Sequence, residues 1–155
     1  MKVRLESLTY LRHPVLETVP YSKEGGLNAP WHPLNWYAGW GLLLAAFTTG
    51  ALIGLGFHRP EFLGGYGSFR RRLVRLGHIA LAALGMLNLI YALSPWPAPS
   101  RWQAEAASAC FVAGGVLMPL VCFLAAWKEP FRHLFFLPVL ALVLAATLTL
   151  TGVVR

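Results

Sequence analysis

Residues 106–127 read AASACFVAGGVLMPLVCFLAAW, a run without one Asp, Glu, Lys or Arg. Coiled as an α-helix it is about 33 Å long at 1.5 Å per residue, enough to cross a hydrocarbon core. A helix on the surface of a soluble domain carries a polar stripe every 3.6 residues, and this run has none. It reads as a transmembrane helix.

Working outward, the same reading repeats. Residues 134–154 and 34–57 also lack charged side chains, and residues 73–93 contain only Arg75, in the first turn, where a long side chain can reach the headgroups. Pro60, Pro95, Pro97, Pro99 and Pro130 fall between the runs, where a missing N–H does least harm. Trp31, Trp36, Tyr37, Trp40, Tyr91, Trp96, Trp102 and Trp127 crowd their ends, as rings with one polar edge do at a membrane interface. The expected fold class is therefore all-α, an integral membrane four-helix bundle over 34–155. Before it, residues 1–33 form an extended, irregular extramembrane tail.

Composition agrees. Of 155 residues, 57% are hydrophobic and 12% charged, whereas soluble domains carry about a quarter charged residues. The net charge of +7 does not point to nucleic acid, because the basic residues bracket apolar runs and no soluble domain carries them. Basic flanks suit lipid headgroups and cytoplasmic loops instead. Cys110 and Cys122 lie twelve positions apart on one helix, about 18 Å along its axis, too far for a disulfide between them. The first 33 residues show no apolar signal-peptide core and no lipidation motif, so the first helix is expected to act as the insertion signal.

With four crossings, Arg59, Arg70, Arg71, Arg72, Arg75, Lys128 and Arg132 share one side. Lys23, Arg101 and Arg155 are the basic residues near helix ends on the other. The positive-inside rule then places the arginine-rich loops in the cytoplasm of a bacterial inner membrane and both termini outside. The tail mixes four prolines with Gly25-Gly26 and scattered apolar residues. It is too polar to span and too short for a domain, and is expected to lie along a partner.

Within the spans, Ala46, Gly50 and Gly54 recur at four-residue spacing. They offer a face for close helix approach, with Gly114-Gly115 as the facing surface. Asn88 and Tyr91 read as interhelical hydrogen-bonding groups. Met118 and Cys122, flanking Pro119, are soft ligands of the Cu(I) type but lack a third member, so no metal site is expected. His58, His78 and His133 gather toward one membrane face and are the candidate cofactor-binding residues. His78 is the deepest, with Gly77 and Ala82 leaving room beside it and Met86 as a polarizable wall. A neutral imidazole there can ligate haem b or a chlorin. No pair of histidines on one helix has the spacing of a two-haem cytochrome b.

There is no nucleophile elbow, phosphate-binding loop or HExxH, and no carboxylate inside a span, so no catalytic residue is assigned. The expected function is that of a small non-catalytic subunit of a larger bacterial energy-transducing complex, respiratory or photosynthetic. Its expected partners are other membrane subunits and lipids. The alternative is a stand-alone membrane cytochrome of b type.

Overall fold

A computed structural model describes residues 32–94 and 100–153. The tail ahead of His32, with the partner contact expected of it, and the Trp96 and proline segment of the second loop lie outside the described residues. Within them the chain is all-α. Four helices are long and apolar enough to cross a membrane, making this a multi-pass membrane protein. We label them α1 (Pro33–Gly56), α2 (Phe69–Leu93), α3 (Arg101–Trp127) and α4 (Phe136–Val153). A short 3-10 turn, Phe62–Gly64, precedes α2, and a 3-10 segment, Glu129–Phe135, leads into α4.

Pro33 opens α1, where its locked φ suits the first helical turn and its missing N–H has no helical partner to lose. The turn after α1 is built on three successive left-handed residues, Leu63 (φ 57°), Gly64 (87°) and Gly65 (90°). Two glycines make this reversal cheap, while Leu63 adopts a backbone that a branched side chain seldom does. Ser68 then caps α2, its Oγ accepting from Arg71 N–H at 3.2 Å and donating to Leu63 O at 2.6 Å.

Two helices start earlier than hydropathy suggests. α2 begins at Phe69, not Leu73, so Arg70, Arg71 and Arg72 form its first turn rather than a loop. α3 begins at Arg101, not Ala106, with Arg101 Nε 2.8 Å from Glu105 Oε1 one turn on. The added turns are polar, so apolar periodicity cannot detect them. α4 begins at Phe136, because the chain from Glu129 to Phe135 winds as 3-10.

Packing follows chain order. α1 lies on α2, α2 on α3 and α3 on α4, with a lesser contact between α1 and α3. α1, α2 and α3 thus form the core of the bundle, and α4 is laid against α3. Gly114 provides the seat for α4: a Cβ there would lie 3.4 Å from Pro138 O and collide with Leu142. Only 17% of the apolar window in α1 and 11% in α4 is buried within the chain. Most of their outward surface therefore faces lipid or other protein.

The closest backbone approach is not the one the small-residue spacing suggests. Ala46 is buried and Gly50 faces α2, but a Cβ on Gly54 would meet nothing within 4 Å. The tight crossing is Gly39 against Gly85, where a Cβ on either would sit 2.9–3.0 Å from the other's carbonyl oxygen. Gly114 and Gly115 are not the facing surface of an Ala46–Gly50–Gly54 stripe. Gly114 receives α4, and Gly115 receives Asn88 and Leu42. At the far end, Arg70 reaches from α2 to the last turn of α3, its Nε donating to Ala126 O at 2.9 Å. That carbonyl belongs to the end of a helix that has run out of backbone donors.

Candidate functional site

Most polar side chains inside the bundle are held by other helices. Asn35 opens α1, Asn88 sits in the last third of α2, and Ser108 lies two turns into α3. All three are buried. Asn35 Nδ2 donates to Asn88 Oδ1 at 2.8 Å and to Ser108 O at 3.4 Å. The Ser108 hydroxyl donates back to Asn35 Oδ1. Asn88 Nδ2 donates to Leu84 O at 2.9 Å within its own helix, and to Phe111 O of α3 at 3.3 Å. Every carboxamide atom thus has a partner, the condition for burying such groups without penalty. Three helices are clamped at one point.

The same end carries a small aromatic stack. The Tyr91 ring lies 4.9 Å from Phe111 and 4.9 Å from His32, and its hydroxyl donates to Ala104 O at 3.0 Å. Burial holds the His32 imidazole below its ordinary pKa, so the neutral ring is the form that stacks. Asn88 and Tyr91 therefore do act between helices, as expected. Asn35, Ser108 and His32 are the members that sequence reading missed. Asn35 is the third residue of α1 and reads as an ordinary interfacial amide. Only the register of α1 against α2 carries it to Asn88.

Of the candidate cofactor ligands, His78 is the one inside the bundle. With α2 starting at Phe69 it lies about 13 Å along the helix. Its Nδ1 is 3.3 Å from Thr49 Oγ1 of α1. The same hydroxyl lies 2.7 Å from Ala45 O of its own helix. The ring rests in the notch left by Gly50, where a Cβ would be 2.8 Å from Cε1 and 3.3 Å from Nε2. The space beside His78 that Gly77 seemed to offer belongs to α3 instead, since Phe123 and Cys122 press within 3.0–3.1 Å of a Cβ at that position. Met86 is more than half exposed on the outer surface of α2, not a wall beside the ring.

His58 and His133 are exposed at the arginine-rich end of the bundle. His58 lines an open cleft of about 460 Å³ with Arg59, Pro60, Glu61 and Phe62. Among the described residues, no three His, Cys, Asp or Glu side chains are grouped so as to hold a metal ion. Cys122 is fully buried, with its Cβ packed against Gly77 in the α2–α3 contact.

No family model, no curated protein and no solved structure matches this chain.

Proposed function

We propose that the protein is a small, non-catalytic membrane subunit that packs laterally against the helices of a larger bacterial energy-transducing assembly, respiratory or photosynthetic. The observation that carries the packing role is the uneven use of helix surface. α2 and α3 bury 33% and 44% of their apolar windows within the chain, whereas the first and last spans bury 17% and 11%. Two long apolar faces on opposite flanks suit a subunit with neighbours on both sides, since helices in lipid associate through packing and polar contacts. The interior carboxamides and hydroxyls are engaged in holding helices together, which suits a scaffold better than a reaction centre.

Purification under native conditions, followed by mass spectrometry of what comes with the protein, tests this reading. Other membrane subunits in fixed stoichiometry are the expected result. A protein that emerges alone and monodisperse, with a haem absorption band, would instead establish the b-type cytochrome reading.

That second reading has one observation in its favour. The Thr49 contact holds the His78 ring in place, as a supporting partner does for a ligating histidine. If a haem b or a chlorin is held through His78, His78→Ala should lower the pigment-to-protein ratio several-fold and His78→Gln less, an amide being the weaker ligand. An unchanged ratio in His78→Ala would leave His78 as the residue that fills the Gly50 notch.

Orientation is part of the same proposal. Arg59, Arg70, Arg71, Arg72, Arg75, Lys128 and Arg132 surround the two loops at one end. The positive-inside rule puts that end in the cytoplasm and both termini outside. A reporter fused after Arg155 should be active only outside the cytoplasm. Cytoplasmic activity would mean that the charges of the tail override those of the loops.

A further inference from the structure

The first turns of α2 hold a charge arrangement that no acidic side chain among the described residues balances. Arg70, Arg71 and Arg72 stand at a helix N-terminus, where the partial charge is already positive. Arg75 follows Arg71 by four residues and so lies on the same face, a like-charge spacing that opposes helix formation. Arg70 has a structural use, capping α3 through Ala126 O. Arg71 has no such use.

Arg71 is 7% exposed, and its Nε is buried without a hydrogen-bond partner. Its guanidinium carbon lies 4.4 Å from the centre of the Phe57 ring and 5.3 Å from that of Tyr66. The Arg75 guanidinium stands 5.1 Å from the same Tyr66 ring. Ring faces attract a cation but are weak acceptors, so they do not replace the missing partner of the buried Nε. The carboxylates of this end, Glu61 and Glu129, make no ion pair among the described residues. The ion pair seen among the described residues joins Arg101 to Glu105 within α3, at the opposite end of the bundle. A buried arginine with an orphaned donor, and a second arginine sharing its aromatic neighbour, call for an anion between them.

We infer that Arg71 and Arg75, beside Tyr66 at the N-terminal turn of α2, bind the phosphate of an anionic phospholipid. Two planar guanidinium groups can each present paired N–H donors to phosphate oxygens, and the helix N-terminus adds its own positive potential. Position selects a lipid over a soluble phosphate. The arginines stand at the end of a span, at headgroup depth, and the surface running inward from them is apolar and outward-facing. Leu76 and Ile79 on α2 and Leu52 and Leu55 on α1 are all exposed. A headgroup on Arg71 and Arg75 would lay its acyl chains along those residues. The inference requires only that the helices span a bilayer. It does not depend on the protein being a subunit of anything larger.

The full chain, purified and exchanged into mixed bilayers of phosphatidylglycerol and phosphatidylcholine, tests the site through the ratio of the two lipids retained in native mass spectrometry. The intact protein should favour phosphatidylglycerol by about thirty-fold, as two arginines at a headgroup would produce. Arg71→Gln should lower the ratio about five-fold, leaving the share of Arg75. Arg71→Lys should fall between, because an ammonium keeps the charge but loses the planar fork. Arg72→Gln removes an exposed arginine of the same turn and should leave most of the preference. If Arg71→Gln does not fold, Arg71→Lys and Tyr66→Ala carry the test, and an intact-protein ratio in both overturns the site. An intact-protein ratio in Arg71→Gln overturns it directly. Inorganic phosphate added in excess should not displace the retained lipid, and displacement would assign the site to a soluble phosphate instead.

Discussion

Gly85→Val should destabilise the bundle by about 3 kcal/mol, at the upper end of what overpacking costs. A Cβ at this position would lie 3.0 Å from Gly39 O, 3.2 Å from Leu42 Cβ and 3.2 Å from Leu43 Cγ. A side chain can rotate away from such a clash, but the Gly39 carbonyl belongs to a helix backbone and can retreat only if α1 moves as a body. Since α1 rests mainly on α2, that movement opens the bundle at its first interface. Gly54→Ala is the matched control. Its Cβ enters open space, so the effect should be neutral, or stabilising by up to about 1 kcal/mol from helix propensity. Reversible unfolding in mixed micelles, driven by an anionic detergent, measures both. A tolerated Gly85→Val beside a damaging Gly54→Ala would return the helix contact to the Ala46–Gly50–Gly54 stripe.

Asn88→Ala should cost about 1–3 kcal/mol, summing two interhelical hydrogen bonds of the strength measured between membrane helices. The bonds lost are those to Asn35 Nδ2 and to Phe111 O. Asn35→Ala should cost a similar amount. The decisive quantity is the coupling between them. A double-mutant cycle on Asn35 and Asn88 should return about 0.6–2 kcal/mol, and the double variant should be less destabilised than the sum of the two singles. Additivity within a few tenths of a kcal/mol would mean that the two amides do not bond. Tyr91→Phe, which removes one bond to Ala104 O and keeps the ring in its stack, should cost no more than about 1 kcal/mol.

These two expectations mark different depths of sequence reading. The importance of Asn88 was visible in the sequence, because an amide well inside an apolar run must find a partner. Its partner was not, since Asn35 is separated from it by 53 positions, and nothing in either helix alone states their relative rotation. The glycine contact failed for the same reason. A four-residue spacing marks a smooth face on one helix, but a crossing needs smooth faces on two helices at the same height. Gly39 and Gly85 meet that condition and Gly54 does not.

The candidate ligands divide in the same way. That His58, His78 and His133 belong to one end of the bundle follows from counting crossings. That His78 points at Thr49 and Gly50, while His58 and His133 are exposed, depends on helix rotation. Arg71 is the clearest case of information absent from the chain. Three consecutive arginines look interchangeable in the sequence, but a helix turns 100° per residue and sends them in three directions. One caps α3, one is exposed, and one is buried beside Phe57 and Tyr66.

What the sequence by itself determined is the existence of four membrane-crossing helices, their order and the shared side of their loops. Burial of a backbone in hydrocarbon demands long uncharged runs, and that demand is local and legible residue by residue. What only the tertiary structure decided is which glycines touch, which amide meets which, and which arginine is buried against aromatic rings. Those outcomes depend on the rotation and height of each helix against its neighbours. Between apolar surfaces of nearly equal affinity for lipid, rotation and height are set by close packing and a few hydrogen bonds rather than by hydrophobicity.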